Sequence, residues 1–233
     1  SIFEKTAKHH QAPIIRVPLD LKIKEHNLNG QLFDFDSYSN LSISLAGPYQ
    51  PTNAATAVTA VQNLKLNQKL SSMAIRKGLA EIKLMGRFQV VSLENRPQSF
   101  ADQVILDGAH TPDSIEALFQ NIARLFDNPK LIVVASLMQD KQITSIGRYI
   151  CRFADLVITT QPFNNQRVTS AQVLAENWKA FGTEIMSVPD VRKAFQISIE
   201  SNADLVCVTG SIYLVGEILR QLNISNIDIN LKP

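Results

Sequence analysis

Apolar and polar positions follow two rhythms along this chain. From residue 104 onward, short apolar runs recur at 104–106, 131–135, 156–159, 185–188 and 205–208. Between them lie helical repeats. Ile115, Leu118, Phe119, Ile122 and Leu125 are spaced by three and four residues, as are Leu174, Trp178 and Phe181, and then Val215, Ile218, Leu219 and Leu222. Strands that are apolar throughout, alternating with amphipathic helices, predict a mostly parallel sheet covered on both faces. The second part of the chain, where the regular pattern runs from residue 104 onward, therefore reads as a doubly wound, Rossmann-like α/β domain.

The front of the chain mixes strand and helix signals. Phe3 opens a helix-like segment to His10, followed by a strand-like stretch at 14–17. Asn29-Gly30 lies between 22–28 and 31–35, the strongest short hairpin signal because both residues tolerate positive φ. Leu41, Ile43 and Leu45 alternate as a half-buried strand does. Gly47-Pro48 ends that strand. A helix of small residues is expected from Thr52, with Ala57, Ala60, Val61 and Leu64 on one stripe. A second helix is expected over 68–79, with Gly78 near its terminus. The polar stretch Asn95-Arg96-Pro97-Gln98-Ser99 reads as a loop or linker.

Composition narrows the function classes. With 233 residues, 45% hydrophobic and 19% charged, the chain can bury a full core and is not of the disordered type. Lys and Arg total 23 against 21 Asp and Glu, a net charge of +2 too small and scattered to point to nucleic acid or an anionic membrane. The longest apolar run, 131–138, is far too short to span a bilayer. The start, Ser1-Ile2-Phe3-Glu4-Lys5, has no apolar stretch of the signal-peptide kind. Cys151 and Cys207 lack metal-type spacing, so the expected compartment is a reducing cytoplasm. His9 and His10 cannot share one helix face and read as surface residues. Met138, Phe153 and Trp178 read as core fillers.

In such sheets, ligands bind beyond the carboxyl ends of the strands. The residues there are Asp107-Gly108-Ala109-His110, the segments 136–141 and 160–167, and Thr209-Gly210-Ser211. Asp107 either organises a turn or accepts hydrogen bonds from a ribose diol. His110 is a structural hydrogen-bonder or, beside Asp107, a functional group. Lys141 is a solvated lysine or a point charge for a carboxylate. Ser211 caps a helix or aims its hydroxyl at an anion. Arg87 is a surface charge or a bidentate phosphate contact. Asn53 is a helix-opening residue or an amide that reads an adenine edge. No G-x-x-x-x-G-K-[ST] phosphate loop occurs, and no G-x-G-x-x-G follows a strand, so a dinucleotide-dependent oxidoreductase is excluded.

Read in order, these residues resemble a known family. Gly86-Arg87-Phe88-Gln89 and Asp107-Gly108-Ala109-His110-Thr111-Pro112 resemble the arginine strand and D-G-A-H-N-P motif of folylpolyglutamate synthase and dihydrofolate synthase, in the Mur ligase superfamily. Gly47-Pro48-Tyr49-Gln50-Pro51-Thr52-Asn53-Ala54-Ala55 resembles the family's G-x-H-Q-x-x-N-A-A segment. Asp140-Lys141 resembles D-K-D, and Val208-Thr209-Gly210-Ser211-Ile212-Tyr213-Leu214-Val215-Gly216-Glu217 resembles V-T-G-S-L-Y-L-V-G-E.

The resemblance covers the whole chain but only the back half of the family's length. It implies the tail of a central ATP-binding domain over 1–83 and a complete glutamate-binding domain over 84–233. It further implies an ATP-dependent amide-bond ligase that joins L-glutamate to folate or dihydropteroate through an acyl phosphate. Asn53 would face adenine, Asp107 the ribose and Arg87 the phosphates. His110 and Lys141 would be catalytic, and His110, Lys141 and Ser211 would contact glutamate. The magnesium ligands and phosphate loop would lie in the front half, and a monomer is expected. Tyr49, Thr111, Ser136 and Gln142 depart from the family pattern, at positions where histidine, asparagine, glycine and an acid are usual. The competing reading is a stand-alone, non-catalytic homologue that binds glutamate, nucleotide or a protein partner. The opening at Ser1, without an initiator Met, is what a piece of a longer ligase is expected to show.

Overall fold

The computed structural model describes residues 1–17, 20–64, 70–93, 101–162, 166–224 and 229–231. The chain divides into two compact units: Ser1–His26, Gln31–Ile43 and Tyr49–Ile82 form one, and Asn27–Gly30, Ser44–Pro48 and Lys83–Pro233 form the other.

In the first unit, α1 (Ile2–His9) starts at a capping box in which the Ser1 hydroxyl accepts from the Glu4 amide. The strand expected at 14–17 does not form. Pro13 supplies no N–H to a ladder, and Ile14 and Ile15 are about half exposed, so no described residue buries a strand face there. Strands β1 (Lys22–Asn27), β2 (Gly30–Phe35) and β3 (Tyr38–Ile43) form a sheet in that order, β2 and β3 antiparallel. The first hairpin turns on Leu28-Asn29, one residue earlier than the Asn-Gly signal suggests. Asn27 Oδ1 accepts from the Asn29 amide at 2.8 Å, and Gly30, at φ +132°, already belongs to β2. Leu41, Ile43 and Leu45 are buried, as their alternation predicts.

Helix α2 (Gln50–Asn63) carries Pro51 in its first turn. Its buried face is Pro51, Ala54, Ala55 and Val58, not the stripe of Ala57, Ala60, Val61 and Leu64, which is mainly exposed. Small residues lie on both sides of this helix, so periodicity alone does not choose between them. Helix α3 (Ser72–Ala80) is capped by Ser71 and buries Ile75 and Leu79. The helix ends at Ala80, so Gly78 stands near its terminus as the sequence suggests. The start expected at 68 and the loop at 95–99 lie outside the described residues.

The second unit holds β4 (Gln89–Leu93), β5 (Gln103–Leu106), α4 (Pro112–Leu125), β6 (Leu131–Ala135), α5 (Ile143–Phe153) and β7 (Leu156–Thr159). It continues with α6 (Ala171–Trp178), β8 (Glu184–Ser187), α7 (Val191–Glu200), β9 (Leu205–Thr209), α8 (Ile212–Ile224) and β10 (Ile229–Leu231). The sheet order is β10-β4-β5-β9-β6-β7-β8. Pairs β5–β9, β9–β6, β6–β7 and β7–β8 are parallel, whereas β4 is antiparallel to β5 and β10 to β4.

All five apolar runs thus become the parallel strands. One core cluster joins this sheet to α4, α5 and α6 through Ile115, Phe119, Ile146, Ile150 and Trp178. The other joins it to α7 and α8 through Phe195, Leu214, Val215 and Ile218. Trp178 is fully buried, and its Nε1–H donates to the Ile143 carbonyl at 2.9 Å. The chain leaves β5 and β6 toward one face and leaves β9, which lies between them, toward the other. That reversal opens a crevice at the carboxyl ends of these three strands.

Candidate active-site cleft

Three loops meet at that crevice. Past β5, Asp107 is only 1% exposed, and both its oxygens are engaged: Oδ2 accepts from the Phe88 amide at 2.8 Å and Oδ1 from the Ala109 amide at 2.7 Å. The carboxylate therefore orders the turn, the structural one of its two sequence readings, and in this conformation it offers a ribose almost no surface. The Gly108 amide donates to the Gly86 carbonyl at 2.9 Å. A Cβ on Gly108 would lie 3.0 Å from Nη1 of Arg87, so the missing side chain lets the guanidinium lie over this turn.

His110 is exposed, with Nδ1 2.8 Å from the Gly108 carbonyl. A carbonyl only accepts, so this contact assigns the proton to Nδ1 and leaves the lone pair of the neutral ring on Nε2. Thr111 is the N-cap of α4 and forms a capping box with Ser114.

Past β9, Gly210 has φ +91°, and its amide donates to the Ala109 carbonyl at 2.8 Å. A Cβ here would strike the Ser136 carbonyl oxygen, so both the backbone angle and the close approach of the β6 loop require glycine. Ser211 is 3% exposed, and its hydroxyl accepts from the Tyr213 amide at 3.2 Å, capping the start of α8. Past β6, Lys141 pairs with Asp140 Oδ2 at 2.9 Å, while Arg167 Nη2 reaches Asp140 Oδ1 at 3.2 Å. The Lys141 hydrogen bond, helped by the charge of Arg167, holds the Asp140 carboxyl below its usual range.

His110, Lys141 and Ser211, singled out in the sequence, line one cleft of about 180 Å³ together with Met138, Arg167, Gly210, Ile212 and Tyr213. Arg167 was not singled out. Its loop beyond β7 was recognised, but sequence alone does not say which loop residue joins the site. Met138 is buried, as a core filler should be, but it lies in the β6–α5 loop and not on a helix: it bridges Val168 as an isolated antiparallel pair and also lines the cleft.

Arg87 is exposed and lines a separate cavity of about 340 Å³ with Lys83, Leu84, Met85, Phe88 and Leu28 among others. Asn53 belongs to the first unit, exposed on α2, and its Nδ2–H donates to Gln50 Oε1 at 3.3 Å. Gln50 is 2% exposed and its Nε2 has no partner among the described residues. The described residues include no cluster of three His, Cys, Asp or Glu side chains that could hold a metal ion. No helix among them is long and apolar enough to cross a membrane.

The chain folds its second unit as a doubly wound α/β domain whose cleft gathers a histidine and two cations at a strand-order reversal. Residues 86–212, more than half of the chain, match the family described as Mur ligase, glutamate ligase domain. The chain belongs to the Mur ligase family. It is 28% identical over 199 residues to the dihydrofolate synthase/folylpolyglutamate synthase of Bacillus subtilis, covering 83% of this chain and 44% of that one. The crystal structure of folylpolyglutamate synthase from Thermotoga maritima superposes with a TM-score of 0.74 at 27% identity, covering 97% of this chain and 52% of that one. A bifunctional folylpolyglutamate synthase/dihydrofolate synthase solved with Mn, AMPPNP and L-glutamate gives a TM-score of 0.72 at 27% identity, covering 94% and 50%. The chain spans about half the length of the curated relatives it matches.

Proposed function

We propose that this chain supplies the amino-acid-binding part of an ATP-dependent ligase that adds L-glutamate to folate or dihydropteroate. The observation that carries the reading is the convergence of His110, Lys141 and Ser211 in one cleft of a Mur ligase domain. In the reaction, a substrate carboxylate attacks the γ-phosphorus of ATP and ADP leaves. The amine of glutamate then attacks the acyl carbon, the tetrahedral intermediate collapses, and phosphate departs. Lys141 holds a glutamate carboxylate as a point charge. The helix start at Ser211 presents its amides to the same anion. His110 Nε2 takes the ammonium proton, which frees the amine to attack.

Arg87 meets the phosphates. Asp107 acts by fixing the Phe88 and Ala109 amides, which holds the Arg87 and His110 segments together at the ribose end. Equilibrium dialysis of labelled L-glutamate against the chain tests the assignment. Saturable binding that is lost in Lys141→Ala is expected; no saturable binding at millimolar glutamate, or binding indifferent to Lys141→Ala, overturns it.

A further inference from the structure

Outside the cleft, α5 carries a basic groove whose walls are tied together at every turn of the helix. The helix meets α6 and the turn after it along a seam of Ile143, Gly147 and Cys151, four residues apart. The Trp178 indole N–H donates to the Ile143 carbonyl at 2.9 Å. A Cβ on Gly147 would strike the Trp178 ring, so α5 and α6 approach there with no side chain between them. The Thr183 hydroxyl donates to the Cys151 carbonyl. Between these ties runs a short 3-10 turn, Lys179–Phe181, which sets Phe181 beside α5. One position past each seam residue stand Thr144, Arg148 and Arg152, a second row of i, i+4 neighbours, all exposed. With Ser145, Tyr149, Ala180 and Phe181 they line a groove of about 860 Å³ that shares no residue with the amino-acid cleft.

Both charged side chains in this groove are cationic, and among the described residues neither forms an ion pair. The carboxylate that flanks them, Glu116, is engaged by neutral groups instead: Oε2 accepts from the Tyr149 hydroxyl and Oε1 from Gln120 Nε2, each at 3.2 Å. Each guanidinium lies over a ring, Arg148 at 5.8 Å from the centre of Phe181 and Arg152 at 5.7 Å from that of Phe153. Such contacts orient the fork and leave its N–H donors to a ligand. We propose that this groove binds the phosphate chain of an oligophosphate ligand. The two arginines are about 6 Å apart along the helix axis, so they meet two phosphoryl groups of one chain, each in the bidentate manner that suits a guanidinium. The Thr144 and Ser145 hydroxyls add donors in the first turn of α5, the end of a helix that favours an anion. The groove has the size of a small-molecule site. Free inorganic oligophosphate and the phosphate chain of a nucleotide offer the same chemistry.

The test is titration of the isotope-labelled chain with inorganic tripolyphosphate and with monophosphate at constant ionic strength, followed by NMR. Saturable shifts are expected at the amides of Thr144, Ser145, Arg148 and Phe181. Tripolyphosphate should bind about tenfold more tightly than monophosphate, the effect of one additional charge-assisted contact at an exposed site. Arg148→Met or Arg152→Met should bring the two ligands to parity, and Arg148→Lys should keep part of the preference. A spectrum unchanged away from α5 shows that each variant keeps its fold. Comparing ADP with inorganic diphosphate at the same amides separates the two sources: tighter ADP identifies a nucleotide, and equal affinities identify the free polyanion. Three results would overturn the inference and leave the proposed function standing: no saturable shifts in this groove, equal affinity for tripolyphosphate and monophosphate, or a preference that survives in the double variant Arg148→Met, Arg152→Met.

Discussion

Replacing Asp107 by asparagine separates a carboxylate that orders a turn from one reserved for a ligand. In the ligand-free chain its two oxygens accept the Phe88 and Ala109 amides at 2.8 and 2.7 Å, and the side chain is 1% exposed. Asparagine has one acceptor oxygen, so its NH2 group must face one of the two backbone N–H groups. One charge-assisted bond is lost and one buried donor is left without an acceptor. Charge-assisted bonds contribute about 1.5–3 kcal/mol and a buried unmet donor costs about 1–3 kcal/mol; for two coupled groups we expect a net loss of about 2–4 kcal/mol. Urea unfolding followed by the fluorescence of Trp178 reads this directly, because it is the single tryptophan and lies in the core of the same unit. The midpoint should fall by about 1 M with an unchanged m-value. Hydrogen exchange at Phe88 and Ala109 should quicken. An unchanged midpoint would refute the reasoning and return Asp107 to a ligand-only role.

Two further expectations concern titrating groups. Burial pushes the Cys151 thiol up to about 11, and burial together with the Asp107 charge pushes Cys207 well up, so thiolate is scarce at pH 8. A chromogenic disulfide reagent should label neither cysteine in the native chain at that pH and both after unfolding; rapid native labelling would contradict this. Asp140 has a depressed folded value, so its pairing with Lys141 and Arg167 is fully present above 3.8 and is lost as pH falls through the lower folded value. Carbon-detected NMR of its carboxyl should give a midpoint below 3.8, and a midpoint at or above it would mean the ion pairs do not form in solution.

The parallel sheet was legible in the sequence because its strands are buried on both faces and read as unbroken apolar runs. The site followed from the topology: the residues just past β5, β6 and β9 could be named before their contacts were known. What was not legible depends on side-chain direction or on distant pairing. Helix α2 offers small residues on two faces, and only the packing of the first unit selects Ala54, Ala55 and Val58. The stretch at 14–17 has strand-forming residues but, among the described residues, no partner that buries them. Arg167 enters the cleft through backbone bonds to Gln139, 28 positions earlier in the chain, and that pairing leaves no local mark. Asp107 showed both of its readings from the start, and in the ligand-free chain its two oxygens accept the Phe88 and Ala109 amides.

The central claim, an amino-acid site at the strand-order reversal, is tested most directly by mapping L-glutamate onto the isotope-labelled chain by NMR. The account predicts saturable shifts at the amides of Gly108, His110, Lys141, Gly210 and Ser211, with the α7 amides unmoved. Shifts gathered elsewhere on the molecule, or none at saturating glutamate, would contradict it.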